Sequence, residues 1–212
     1  TMVCPTYTLL VQVLDSKSNP SGGVAVSAYE WTSGTARPTK SSVTDAKGNA
    51  TFSLTFGKYR LRAFEDGILI NETSIDLTEN STLSTVRCSI YNVDLSVFVT
   101  DYFGQPIPNA VVKFERRSDG VYLEAYSSAT KADGSALFSG IIGGNARISV
   151  YISGRLSQTQ YLYVDSSRRS TELHLDGYVV VAVFVLEASQ FFTLAVVLII
   201  VVLFLLILKY KS

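Results

Sequence analysis

Apolar and polar residues alternate along most of this chain, and the alternation stops abruptly near its end. In the first half, Thr8-Leu9-Leu10-Val11-Gln12-Val13 and Val24-Ala25-Val26-Ser27-Ala28-Tyr29 carry the two-residue period of half-buried strands, with the turn-forming Asn19-Pro20-Ser21-Gly22-Gly23 between them. Further strands are predicted over 39–44, 50–54, 59–64, 68–77 and 83–90, and the Asp45-Ala46-Lys47-Gly48 turn joins the third to the fourth. The second half reads the same way, with strands over 95–100, 110–115, 122–129, 136–139, 147–152, 158–164 and 171–175. Short strands with turn signals at roughly 8–12-residue spacing describe two-sheet sandwiches, here of seven strands each. Only the last segment breaks the pattern. Phe191 to Leu208 (FFTLAVVLIIVVLFLLIL) holds no charge, Gly or Pro. As a helix it spans about 27 Å, close to the hydrocarbon thickness of a bilayer. The predicted fold is all-β: two tandem seven-stranded β-sandwiches followed by one C-terminal transmembrane α-helix.

The two sandwiches are copies. Ser41-Ser42-Val43-Thr44-Asp45-Ala46-Lys47-Gly48-Asn49-Ala50-Thr51-Phe52-Ser53 matches Ser127-Ser128-Ala129-Thr130-Lys131-Ala132-Asp133-Gly134-Ser135-Ala136-Leu137-Phe138-Ser139 at a shift of 86 (127 − 41). The same shift pairs Val11 with Val97, Asp15 with Asp101, Pro20 with Pro106, Gly34 with Gly120 and Gly57 with Gly143 without a gap. A fixed period of this kind marks a tandem duplication. The expected organisation is a first sandwich over 1–90 and a second over 91–176. An apolar juxtamembrane extension over 177–189, a span over 190–209 and a tail over 210–212 complete it.

The turn chemistry points to a family. Val99-Thr100-Asp101-Tyr102-Phe103-Gly104-Gln105-Pro106-Ile107-Pro108-Asn109-Ala110-Val111-Val112 resembles the opening of carboxypeptidase regulatory-like domains, where a strand, an acid, a Gly-X-Pro turn and an Ala-X-Val strand recur. Thr130-Lys131-Ala132-Asp133-Gly134-Ser135-Ala136-Leu137-Phe138 is similar to the second signature of that family. The resemblance implies a transthyretin-like, Ig-like sandwich for both copies. Copy one departs from it at Asn19-Pro20-Ser21-Gly22-Gly23, where the Gly before Pro is missing. These motifs build turns, so they speak for fold rather than function. In plan, outer sandwiches with a C-terminal span are also similar to archaeal surface-layer anchor proteins, without the coiled-coil spacer that some of those have.

Charge adds orientation. Eighteen acids balance eighteen bases, so no basic field points to nucleic acid. Lys209 and Lys211 follow the span while Glu187 precedes it, and the positive-inside rule then puts the C-terminus in the cytoplasm and the sandwiches outside. That topology expects a removed export signal before Thr1; a tail-anchored protein with cytosolic domains is the rival. Three sequons, at Asn49, Asn71 and Asn80, are candidate N-glycosylation sites and favour the outside. Cys4 and Cys88 are the only cysteines. Either they form a disulfide stapling the first and last strands of copy one, worth about 4 kcal/mol if unstrained, or they are two buried thiols.

Catalytic chemistry finds little support in the chain. His174 is the only histidine and has no Cys or second His to share a metal. Asp45, Asp101 and Asp133 fall at turns and read as turn caps; no loop has the acid density of a calcium site, no Gly-X-Ser-X-Gly elbow is present, and no phosphate-binding glycine loop occurs. Trp31 reads as a loop-base packing residue, and Arg168-Arg169 as a solvated turn or a headgroup contact. No enzyme activity, metal or cofactor is expected. Two functions remain. The first is a structural or interaction protein of the cell envelope, anchored in the membrane and assembling with itself or other envelope proteins. The second is an accessory single-span subunit of a larger membrane complex, its sandwiches on the outer face. The Val-rich stretch before Glu187 bears on both. A single helix from Tyr178 to Leu208 would be about 46 Å long, too long for a bilayer without heavy tilt. The stretch is therefore an added strand or a sheathed helical extension, and Tyr178, Val180, Ala182, Phe184 and Leu186 are the expected assembly surface.

Overall fold

The computed structural model describes residues 5–31, 38–80, 82–118, 120–182 and 184–211, with the side chain of Lys211 left out. Alternation sets the first strand: in β1 (Thr6–Leu14), Leu9, Val11 and Val13 point inward and are wholly buried. Six more strands follow in copy one. They are β2 (Ala25–Glu30), β3 (Lys40–Val43), β4 (Asn49–Thr55), β5 (Gly57–Glu65), β6 (Ile68–Leu77) and β7 (Thr82–Arg87). They form a three-stranded sheet, β4-β1-β7, and a four-stranded sheet, β3-β2-β5-β6. Leu9, Val11, Phe52 and Leu54 from the first sheet and Val26, Tyr59, Leu61 and Leu77 from the second make one core. All pairs are antiparallel except β1 with β7, where Leu14 lies opposite Arg87.

Copy two repeats the plan with β8 (Val93–Asp101), β9 (Val111–Ser118), β10 (Val121–Ala129), β11 (Ser135–Ile141), β12 (Gly144–Ile152), β13 (Arg155–Val164) and β14 (Ser170–Leu175). Its sheets are β11-β8-β14 and β10-β9-β12-β13, and β14 again runs parallel to β8. Leu95, Val97, Val99, Phe114, Ile148 and Leu173 are wholly buried or nearly so. The turns repeat atom for atom. The Thr44 hydroxyl donates to the Ser21 carbonyl at 2.7 Å and accepts from the Val24 amide at 2.9 Å. Thr130 does the same with Ile107 and Ala110 at the same two distances. Gly48 and Gly134 share a φ of +74°, and a Cβ on either would sit 2.6 Å from a strand carbonyl oxygen. By contact, the chain divides into one unit of residues 1–94, 139–144 and 163–169 and a second holding the remainder.

After copy two the chain departs from both sequence alternatives in part. The Val-rich extension is a strand, and it pairs with its own continuation: β15 (Tyr178–Val181) and β16 (Phe184–Glu187) form an antiparallel hairpin. Helix α1 (Ala188–Lys211) starts at once, and the stretch Ala188–Tyr210 is long and apolar enough to cross a membrane, with none of it buried within the chain. Its 23 residues reach about 35 Å.

Candidate membrane-proximal site

Around the start of α1 the predicted assembly surface, the membrane-flanking Glu187 and one of the turn acids come together in one site. Asp101, at the end of β8 and wholly buried, organises it. Its Oδ1 accepts the amides of Phe103 and Gln105 at 2.9 and 2.7 Å, closing the turn that sequence analysis assigned to it. Its Oδ2 does something the sequence does not show: it accepts the Val180 amide at 2.7 Å. The Tyr102 amide donates to the Tyr178 carbonyl at 2.9 Å, and the Ser157 hydroxyl meets the Tyr178 hydroxyl at 3.1 Å. The hairpin is thus clasped to the second sandwich by backbone groups of β15. At the same open end the Ala188 amide donates to the Gly177 carbonyl at 2.9 Å, which joins the start of the helix to the start of the hairpin.

The five residues expected as an assembly surface do not share one face. Directly opposed residues of an antiparallel pair point to the same side, and the pairs are Tyr178 with Glu187, Val179 with Leu186, Val180 with Val185 and Val181 with Phe184. Tyr178 and Val180 therefore lie on one face, and Phe184 and Leu186 on the other with Val179 and Val181. The reversal at Ala182, whose φ is +55°, is the reason. Val179 is the residue packed into the protein, at 1 % exposure, while Phe184 is 67 % exposed. Leu186 lines an open groove of about 430 Å³ with Ser189, Gln190, Thr193 and Leu194. Glu187 faces Arg155 at 3.6 Å, a solvent-exposed ion pair of little energetic weight. Lys209 lies in the last turn of α1.

Two aromatic residues missed by sequence reasoning complete the site. Tyr102 and Phe103 stand at the tip of the Asp101 turn, and their rings meet those of Phe192 and Phe191 edge-on at 5.7 and 6.1 Å. A signal for them exists in the repeat, because the shift of 86 places them over Ser16 and Lys17.

The remaining candidates are dispersed. Cys88 is a free, fully buried cysteine, and burial first, then the nearby Asp15 carboxylate, pushes its thiol up to about 12. Cys4 lies outside the described residues, and the expected bridge is not seen. Asn49 and Asn71 are half-buried, and Asn80 is exposed. The Asn71 side-chain amide donates to the Arg87 carbonyl, and Asn80 Oδ1 accepts the Thr8 amide at 2.8 Å. His174, on β14, meets Thr100 at 3.2 Å and Asp176 at 3.1 Å. Asp45 and Asp133 accept backbone amides within their own turns. Trp31 is half-exposed beneath the Arg60 guanidinium at 4.7 Å rather than packed in a loop base. Of the Arg168-Arg169 pair, Arg169 lines a small cavity with Asp94 and Lys17. The hydrogen bond from Lys17 holds the Asp94 carboxyl below its ordinary range.

No protein-family model matches this chain, and no curated protein does. Among solved structures, a minor pilin of the Gram-positive pathogen Streptococcus agalactiae is 16 % identical over 80 % of this chain and 94 % of its own, with a TM-score of 0.53. The shaft pilin SpaA of Lactobacillus rhamnosus is 12 % identical over 82 % of this chain and 100 % of its own, with a TM-score of 0.36. A DUF3823 family protein of Parabacteroides merdae is 15 % identical over 76 % of this chain and 100 % of its own, also at 0.36. The first of these establishes the shared tandem-sandwich fold. The sandwich implied by the turn motifs is present, whereas neither the carboxypeptidase regulatory-like family nor the archaeal anchor proteins are identified by these comparisons.

Proposed function

We propose that this chain is a non-catalytic, membrane-anchored structural protein of the cell envelope, exposed on the outer surface and assembling with copies of itself or with other envelope proteins. The observation that carries the reading is the clasp of Asp101 on Val180, which leaves no loose linker between the second sandwich and an apolar helix. A tether for a free-moving domain needs slack; here the hairpin, the Ala188-to-Gly177 bond and the aromatic contacts remove it. The sandwich base is then held at the bilayer surface, as suits a load-bearing stalk. The acids singled out in the sequence serve turns, which supports structure over chemistry. Lys209 and Lys211 against Glu187 support an outer ectodomain and a cytoplasmic C-terminus. The fold is one that solved pilins also use.

One feature favours the accessory-subunit reading instead. The groove beside Leu186 is lined by Ser189, Gln190 and Thr193, polar groups at the top of the span that suit a partner helix. Protease treatment of intact cells making the full chain tests the topology. The sandwiches are expected to be digested from outside while a C-terminal epitope stays protected and resists carbonate extraction. Digestion only after lysis overturns the reading. Crosslinking in mild detergent then separates the two assemblies: like-with-like products support the stalk, and one reproducible foreign partner along α1 supports the subunit.

A further inference from the structure

The duplication supplies an internal control for the turn nearest the helix. Asp15 and Asp101 build the same turn. Asp15 Oδ1 accepts the Lys17 and Asn19 amides at 2.8 Å each, as Asp101 Oδ1 accepts those of Phe103 and Gln105. Copy one makes this turn with Ser16 and Lys17 at its tip, so nothing in the turn itself calls for aromatic residues. Copy two, the one that runs into the span, has Tyr102 and Phe103 there. Neither ring enters the sandwich core: they are 47 % and 53 % exposed. The two rings lie 5.1 Å apart and touch Phe192 and Phe191, which are themselves 5.4 Å apart in the first turns of α1. Even with these contacts, about half of each residue stays exposed.

Large apolar rings left partly in water forfeit the free energy of burying that surface, and turn tips normally carry polar residues instead. Position explains the exception. Phe191 and Phe192 open the apolar run that ends at Leu208, so all four rings stand at the level where a bilayer crossed by α1 would begin. Aromatic side chains concentrate at that level because they bury ring area while tolerating the polar headgroup zone. We infer that the Tyr102–Phe103 turn is a second membrane attachment, its two rings inserted into the headgroup–acyl boundary of the bilayer around α1. The inference rests on the reading of α1 as a span. The ligand is the lipid interface itself, recognised through apolar burial and not through headgroup charge. With helix and turn both engaged, the second sandwich is fixed at two points and resists tilting on its stalk.

The full chain in phosphatidylcholine vesicles tests this with single tryptophans in a Trp31→Phe background, since Trp31 is the only tryptophan present. Ile200→Trp reports the span, and Phe103→Trp, with Tyr102→Trp as a second reporter should the first misfold, reports the turn. Lipids brominated at shallow or deep acyl positions quench according to depth. The expected result is deep quenching for Ile200→Trp and shallow quenching with blue-shifted emission for the turn reporters. An unquenched Ile200→Trp overturns the span reading itself. A quenched Ile200→Trp beside water-like, unquenched turn reporters overturns only the inference. So does blue-shifted but unquenched emission, which would place the rings against a second copy of the chain.

Discussion

Asp101 and Val180, 79 positions apart, are joined by a 2.7 Å hydrogen bond from the Val180 amide to Asp101 Oδ2. Copy one has the counterpart. Asp15 Oδ2 accepts the Asn92 side-chain amide at 2.6 Å, and the Ser16 amide donates to the Tyr91 carbonyl as the Tyr102 amide donates to that of Tyr178. The chain thus leaves each sandwich through the same clasp, and the hairpin stands where the lead into β8 stands after copy one. Burial tends to raise the Asp15 carboxyl, yet the hydrogen bonds from Asn92, Asn19 and Lys17 outweigh it and hold the group below its ordinary value.

Asp101→Asn discriminates between the two duties of this carboxylate. The amide oxygen can still serve Phe103 and Gln105, but the amide nitrogen then faces the Val180 N–H, donor against donor. The expected cost is about 1–3 kcal/mol, the usual range for a hydrogen bond to a charged acceptor whose loss strands a buried partner. Hydrogen exchange by mass spectrometry should show the amides of Tyr178–Val181 opening well before those of β8. Unchanged exchange across the hairpin would show that the Asp101 bond does not hold it.

Cys88 supplies a second prediction. Strands β1 and β7 are parallel, and the Cys88 amide donates to the Leu14 carbonyl at 2.8 Å, so this residue sits at the Leu14 end of β1. Thr6, at the other end, is eight strand steps or about 26 Å away. The two residue steps from Thr6 to Cys4 reach about 7 Å at full extension, which leaves a gap far beyond the Cα separation that a disulfide within one chain allows. The thiol, raised to about 12, should resist alkylation at mildly alkaline pH in the native protein and label only after unfolding. Peptide mapping without reductant should yield no linked Cys4–Cys88 peptide. Recovering that peptide would mean that β1 is paired differently.

The repeat was legible because its turns depend on short-range chemistry that leaves marks in sequence. Thr44 and Thr130, Gly48 and Gly134, Asp15 and Asp101 recur at one shift because each meets a specific steric or hydrogen-bonding demand of its turn. That shift holds only through β11: Gly57, which opens β5, answers to Gly144 at the start of β12 and not to Gly143 as the ungapped sequence match expects. The positive-φ pair Asp66-Gly67 answers to Ser153-Gly154, a shift of 87, because copy two carries one more residue where β12 begins at Gly144. The hairpin was not legible, since its loop offers no Gly, Asn or Pro. Ala182 takes a left-handed φ of +55° that costs an alanine about 1–2 kcal/mol, and tertiary capture by Asp101 offsets it. The aromatic foot was hidden for another reason. The repeat sets Tyr102 and Phe103 apart from Ser16 and Lys17, but their meeting with Phe192 and Phe191 shows only once the fold brings them together.

Acid should weaken the second sandwich through a pair in its larger sheet. Glu115 on β9 lies directly opposite Arg147 on β12, and the guanidinium binds it twice, Nε to Oε2 at 2.8 Å and Nη2 to Oε1 at 2.5 Å. The Ser149 hydroxyl donates to the same carboxylate. The Arg147 hydrogen bonds outweigh the opposing effect of burial and hold the Glu115 carboxyl below its ordinary value of 4.5. With the folded value depressed, the unfolded chain takes up the proton first as pH falls. The contribution is therefore complete above 4.5 and is lost as pH drops through the folded value. Asp15, Asp94, Asp133 and Asp165 are lowered as well and add the same sign, so Glu115→Gln removes only part of the dependence. Urea unfolding of the full chain in detergent should place Glu115→Gln about 1–3 kcal/mol below the parent at neutral pH, because Arg147 loses its charged partner. The gap should narrow steadily once the pH is below 4.5, as the parent protonates the same group. A gap undiminished at about pH 2, below the usual range of carboxylates, would show that the pair acts through packing and not through charge.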